Sequence, residues 1–167
     1  FARAEAAAPG SPTARQALLG KSLAEFDQDN ISTCRRELER FIAAYPGDEK
    51  STKARDAVSL LDRYEELPEK SPQIAGLMSA LIPGSGHMYA GHYGDGVTAF
   101  FLNGLFIAGT VAALRQENYA VAGVVSLIGV PFYIGNIYGA ANAARKFTLG
   151  VKRDFRGRMA LSLDYPF

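Results

Sequence analysis

Cysteine and charge are scarce in this sequence, and each scarcity excludes a class of protein. Cys34 is the one cysteine in 167 residues, which excludes an internal disulfide framework and a metal site built from clustered cysteines. Residues 74–144 contain only three charged side chains, namely Asp95, Arg115 and Glu117. A long stretch with so little charge is not expected on the surface of a soluble domain.

The charge of the whole chain, +1, conceals three segments of different character. Residues 1–73 carry eleven basic and thirteen acidic residues, and residues 145–167 carry six basic and two acidic residues. The chain therefore has a polar head, a nearly uncharged middle and a basic tail. Because the head is so evenly balanced, it lacks the basic face of a nucleic-acid-binding protein, and no nucleic acid is expected as a partner.

The first residues have two interpretations. Ala2 and Ala4 fit the small-x-small pattern at which signal peptides are cleaved, so Phe1 could lie near the end of such a peptide. The alternative is that Phe1 is an arbitrary boundary. In both cases residues 1–12, rich in alanine, proline and glycine, are expected to be a flexible lead-in.

Residues 13–67 are predicted to form a soluble module of three amphipathic helices. Apolar residues recur there at intervals of three or four, and breaks occur at residues 27–30, at 46–48 and at Pro68. The apolar positions are Leu18, Leu19, Leu23 and Phe26, then Cys34, Leu38, Phe41, Ile42 and Tyr45, and then Ala54, Ala57, Val58, Leu61 and Tyr64.

The same segment resembles a tetratricopeptide repeat of the kind found in bacterial envelope proteins. The resemblance covers residues 14–66 and is strongest over residues 39–48; it is carried by Leu19-Gly20, Leu38, Phe41 and Tyr45-Pro46. It implies a module that docks partner proteins. Only one and a half repeats are present, and stacked repeats normally build the continuous core, so a plain three-helix packing module is the alternative.

After a linker at residues 68–73, residues 74–144 are predicted to form a transmembrane domain of two to three helices. A span needs about 20 mostly apolar residues, and the uncharged stretches 96–114 and 118–144 meet that need. The stretch before Asp95 is interrupted by Pro83-Gly84-Ser85-Gly86. Its length favours a kinked span over a re-entrant half-helix, and both remain open. The fold class is therefore all-α.

This half resembles a small helical membrane domain that recurs in uncharacterised bacterial membrane proteins. The resemblance covers residues 72–147, and its motif is Pro-Gly-x-Gly-x-x-Tyr-x-Gly, formed by Pro83, Gly84, Gly86, Tyr89 and Gly91. It implies a membrane-embedded scaffold without catalytic activity, often joined to soluble modules.

Few residues of the membrane half suggest chemistry. His87 and His92 are candidate metal or haem ligands of low probability, because a spacing of five does not place two imidazoles on one helix face. Asn103, Asn136 and Asn142 are explained by hydrogen bonds between helices. Gly135 and Gly139 form a Gly-x-x-x-Gly pair that allows another helix to approach closely.

No phosphate-binding loop, carboxylate pair or Ser-His-Asp arrangement occurs in the sequence, so neither an enzyme nor a cofactor is expected. The sequence favours a non-enzymatic integral membrane scaffold or accessory subunit of a bacterial envelope complex. Its expected partners are other membrane or envelope proteins or further copies of itself, together with the lipid bilayer. The alternatives are a small oligomeric transporter or channel component and a haem- or metal-binding redox accessory subunit.

The basic tail predicts an orientation in the bacterial inner membrane. Basic residues directly after a last span mark the cytoplasmic side, so residues 145–167 are expected in the cytoplasm. With three spans and an exported head, the head is expected in the periplasm. With a re-entrant first element, both ends would share one side. The last residues of the tail, 158–167, have a strand-like pattern.

Overall fold

The computed structural model describes residues 11–163, and all the regular structure in that range is helical, which confirms the all-α prediction. The helices are α1 (Pro12–Asp27), α2 (Ile31–Ala44), α3 (Glu49–Asp62), α4 (Pro72–Leu81), α5 (Ser85–Tyr89), α6 (Tyr93–Arg115) and α7 (Tyr119–Ser162). Ala2 and Ala4, the possible cleavage pattern, and nearly all of the expected lead-in lie outside the described residues.

The chain divides into two compact units. Among the described residues, the head unit consists of residues 11–67 and 151–163, and the apolar unit consists of residues 68–150. The long helix α7 supplies residues to both units. The expected boundaries are therefore corrected at one point: most of the basic tail belongs to the head and is not a separate segment.

Two of the head helices begin at residues whose side chains cap them. The Ser11 side chain accepts a hydrogen bond from the Ala14 N–H at 3.1 Å, and Asp48 accepts one from the Lys50 N–H at 2.9 Å. The apolar faces of these helices form one core, which the last turns of α7 complete. Its buried members are Leu18, Leu19, Phe26, Cys34, Leu38, Phe41, Ala54, Ala57, Leu61, Tyr64, Phe155, Met159 and Leu163.

An aromatic cluster attaches the end of α7 to the head. The ring centre of Phe155 lies 5.9 Å from that of Phe26 and 5.3 Å from that of Tyr64. The Tyr64 hydroxyl donates to Asp29, whose other carboxylate oxygen lies 3.3 Å from the Lys152 ammonium. The hydrogen bond from Tyr64, helped by Lys152, holds the pKa of Asp29 below its usual value.

The prediction of a strand-like end is wrong for the residues that the structure describes, because residues 158–162 continue α7 as helix. Met159 and Leu163 are buried against the head, and their spacing of four fits one helix face. Packing of these two side chains in the head core therefore stabilises a helix in this segment. Residues 164–167 lie outside the described residues.

Within residues 11–163, two helices are long and apolar enough to cross a membrane: α6, with 23 residues, and α7, with 44. A core helix of a soluble protein is mostly buried, whereas only 11% and 17% of the most apolar windows of these helices are buried. Their exposed apolar side chains are the kind of surface that lipid covers.

The first element of the apolar unit does not form a third span. Helix α4 has 10 residues and is about 15 Å long, half the thickness of a bilayer core. The chain then reverses, and the Tyr89 hydroxyl at the end of α5 accepts a hydrogen bond from the Ser71 N–H at 3.2 Å. Since Ser71 precedes α4, the chain has returned to its starting level. The kinked span is wrong, and α4 and α5 form a helical hairpin.

The two ends of the apolar unit lie side by side. The Lys70 N–H donates to the Thr148 hydroxyl oxygen at 2.9 Å, and that hydroxyl lies 3.3 Å from the Lys70 carbonyl oxygen. Residues 70 and 148 are therefore at one level, and the chain between them crosses any enclosing layer an even number of times. This geometry is at odds with the expectation of a head and a tail on opposite sides.

The shared head core makes the first testable prediction. Replacing Phe155, which is 3% exposed, by Ala removes a ring from the core, and we expect the head to lose about 3 kcal/mol of stability. Amide hydrogen exchange of α1–α3 should accelerate accordingly. The matched control is Leu161→Ala on the same helix, because Leu161 is 80% exposed. Equal exchange in both variants would show that the tail is not part of the core.

Candidate functional site

The reversal between α4 and α5 requires glycine at two motif positions. Gly84 has a φ of +86°, and a Cβ on it would lie 2.0 Å from the Gly96 carbonyl oxygen. A Cβ on Gly86 would lie 1.9 Å from the Ala75 carbonyl oxygen. No side chain fits at either distance, so the motif glycines bring backbone against backbone.

The Asn136 side chain of α7 forms hydrogen bonds with backbone groups on both sides of this reversal. Its amide oxygen accepts from the Gly84 N–H at 3.0 Å, and its amide nitrogen donates to the Ser79 carbonyl oxygen at 3.1 Å. The Ser79 hydroxyl oxygen accepts from the Gly86 N–H at 3.1 Å. Irregular backbone at membrane depth is tolerated only where such partners exist. The hydrogen-bonding role expected for Asn136 is confirmed.

The remaining motif residues also shape the hairpin. Pro83 follows the end of α4, Tyr89 contacts Ser71, and Gly91 has a φ of +87°, which favours glycine. The Lys70 ammonium lies 4.6 Å from the centre of the Tyr89 ring. All five residues of the resemblance motif are therefore accounted for by the backbone path of one helical hairpin.

The two histidines have different surroundings. His92 Nδ1 lies 3.2 Å from the Asp95 carboxylate, one helical turn away. His87 packs against α7 at Gly139, where an added Cβ would lie 3.0 Å from its Nε2 atom. Among residues 11–163 there is no group of three or more His, Cys, Asp or Glu side chains that could hold a metal ion.

The Gly-x-x-x-Gly pair is divided between two environments. Gly139 is covered by the His87 imidazole of the same chain. Gly135 is exposed, and none of the atoms described lies within 4 Å of a Cβ added to it. Of the two residues expected to contact a partner helix, only Gly135 offers an open surface.

A cavity of about 430 Å³ lies beside the hairpin, between α6 and α7. Its lining consists of His87, Asp95, Thr98, Ala99, Leu102, Asn103, Pro131, Phe132, Gly135 and Asn136. Asp95, Ala99 and Asn103 are spaced by four, which places them on one face of α6. That spacing is the sequence signal by which Asp95 and Asn103 could have been associated, and the sequence analysis missed it.

Asn103 is the most deeply buried polar side chain of this cavity, at 2% exposure. Its amide nitrogen donates to the Ala99 carbonyl oxygen of its own helix at 2.8 Å. Within residues 11–163, its Oδ1 atom accepts no hydrogen bond, and His87 Nδ1 is likewise buried without a partner. The hydrogen bond between helices that was expected for Asn103 is therefore not found.

The close approach at Gly86 makes a second prediction. Replacing Gly86 by Ala should break the hairpin, because the added methyl group would meet the Ala75 carbonyl oxygen. We expect a loss of several kcal/mol in resistance to thermal or denaturant unfolding in detergent, since backbone must move. Gly104→Ala is the control: its position in α6 has open space, so the change should stabilise the helix by about 0.5–1 kcal/mol. Equal stability of the two variants would contradict the close approach.

No family model, curated protein or solved structure matches this chain. What the site does must therefore be argued from its residues.

Proposed function

We propose that this protein is a non-enzymatic integral membrane scaffold whose head and tail lie together on the cytoplasmic side. In this proposal α6 and the apolar part of α7 cross the bilayer, and the α4–α5 hairpin enters it and returns. The observation that supports it best is the pairing of residues 70 and 148, since it requires an even number of crossings. The exposed apolar surfaces of both long helices support the membrane location.

Charge supports the cytoplasmic orientation. The turn between α6 and α7 carries one basic residue, Arg115. The other ends of the apolar unit carry Lys70, Arg145 and Lys146, and Lys152, Arg153, Arg156 and Arg158 follow directly along the chain. The side richer in Lys and Arg near the spans stays in the cytoplasm. The proposal therefore moves the head from the periplasm, where three spans would have placed it, to the cytoplasm.

The scaffold role is supported by how the polar groups are used. At the hairpin, the side chains of Ser79, Asn136 and Tyr89 hold backbone in place. In the head, the end of α7 fills the core, so α1–α3 form a finished module with charged outer faces. Such a module can present its exposed helices to partner proteins of an envelope complex.

Labelling of single cysteines tests the orientation. The native Cys34 is not expected to react with the label. It is buried, and burial raises its pKa to about 12, which keeps the thiol protonated. New cysteines at Gln28 in the head, Gln116 in the turn and Leu161 in the tail are exposed reporters. With a membrane-impermeant maleimide on intact cells, only the Gln116→Cys variant should react. If the Gln28→Cys variant is labelled and the Leu161→Cys variant is not, the head and the tail lie on opposite sides of the membrane and the proposed orientation is wrong.

Partner release tests the scaffold role. Replacing Gly135 by Leu fills the open position on α7, and we expect it to release a stoichiometric partner that co-purifies in mild detergent. Gly123→Leu is the matched control, because Gly123 is also an exposed glycine of α7 with open space around it. Gly139→Leu is unsuitable, since it would displace His87. A chain that purifies alone would contradict the scaffold proposal.

The cavity favours a second candidate function, a component of an oligomeric channel or transporter. Its polar lining lies beside the broken helix of the hairpin, and broken helices often line pathways in membrane proteins. Under this proposal, His87→Ala should change solute flux into proteoliposomes. The scaffold proposal expects no flux from either protein.

A further inference from the structure

We propose that the cavity between α6 and α7 binds a primary ammonium group, carried by a molecule with an aliphatic body. The ammonium group would bind at Asp95 and His87, and the aliphatic part would extend along α6 towards Asn103. Two sources share this chemistry, namely the head group of an aminophospholipid and a soluble linear polyamine.

Two buried polar atoms of the cavity lack a partner among the described residues, and both can accept a hydrogen bond. Asn103 Oδ1 is buried without a donor among residues 11–163, and His87 Nδ1 can accept when the ring proton is on Nε2. Two nearby donors already have acceptors: the Thr98 hydroxyl donates to the Gly94 carbonyl oxygen, and the Asn136 amide nitrogen donates to the Ser79 carbonyl oxygen. A buried acceptor without a partner costs about 1–3 kcal/mol. A ligand with N–H groups would recover that cost.

Charge selects a cation over a neutral or anionic donor. Asp95 is the only formally charged residue that lines the cavity, and no Lys or Arg is among the lining residues. Its one contact among the described side chains is His92, at 3.2 Å, and the carboxylate is still largely exposed. A second N–H⁺ donor can therefore reach it. Hydrogen bonds between an ammonium and a carboxylate are stronger than those between neutral groups.

The dimensions and walls suit an aliphatic body. Asp95 and Asn103 are eight residues apart on one face of α6, which is about 12 Å along the helix axis. Between them the lining is apolar, formed by Ala99 and Leu102 with Phe132 from α7. The volume of about 430 Å³ falls in the usual range of small-molecule sites. An alkyl chain fits this wall, and a second N–H group along it would meet Asn103.

The test uses the full chain in phosphatidylcholine nanodiscs, because the trimethylammonium head group has no N–H to donate. Phosphatidylethanolamine is added to one set of discs and spermidine to another. The readouts are the side-chain amide NMR signal of Asn103 and the amine retained in native mass spectrometry. We expect saturable binding in at least one set. Retention of phosphatidylethanolamine alone assigns the site to lipid, and a response to spermidine alone assigns it to a soluble amine.

Two variants and one control decide the outcome. Asp95→Asn removes the charge at an exposed position and should weaken binding about tenfold or more. Asn103→Leu should lower the amount of spermidine retained in native mass spectrometry, because it removes the acceptor at the deep end. Glu117→Gln is the matched control, because it removes another acidic residue of the apolar unit without touching the cavity. The proposal is overturned if neither amine binds, or if Asp95→Asn binds as well as Glu117→Gln.

Discussion

The hydrogen bonds of Asn136 are the interaction on which the apolar unit depends. A chain that reverses between two apolar helices exposes backbone groups where water cannot reach them, and each such group is costly. Asn136 pairs with both sides of the reversal, at Gly84 and Ser79. This allows a 10-residue helix to stop halfway and return. The α4–α5 hairpin depends on these bonds.

The head depends on a different constraint, the need to bury a continuous apolar face. Three short helices by themselves leave part of their core uncovered. The structure closes that gap with Phe155, Met159 and Leu163 from the far end of the chain. The basic tail is therefore a structural part of the head. Its charged residues face outwards from the same helix that fills the core, which couples the location of the head to that of the tail.

The cavity beside the hairpin is a consequence of the same glycine-rich design. Small residues let α4, α5 and α7 approach closely on one side, while the wider gap between α6 and α7 is left partly open. The gap is lined by an exposed carboxylate at one end and by a buried amide oxygen at the other. The closely packed hairpin and the cavity with polar residues in its lining therefore lie next to each other in the apolar unit. The proposed scaffold role and the proposed ammonium site do not exclude each other.

Local pattern was enough to find the helices. Three-to-four-residue periodicity located α1–α3, and uncharged length located α6 and the apolar part of α7. The caps Ser11 and Asp48 became apparent only in the structure. The break at Pro83-Gly84 was also visible. Periodicity misread the tail, because residues 158–162 show an alternating pattern whose helical form is fixed only by burial of Met159 and Leu163. Asp95 and Asn103 were visible as residues but not as members of one cavity.

The sequence by itself thus determined the helical class and the polar and apolar halves, since these depend on neighbours along the chain. Only the tertiary structure decided that the first apolar element returns, that the tail completes the head, and that an aspartate, a histidine and an asparagine surround one cavity. Each of these depends on a contact between residues far apart in sequence, such as Lys70 with Thr148 or Phe26 with Phe155. Such contacts leave no local pattern from which they could be read.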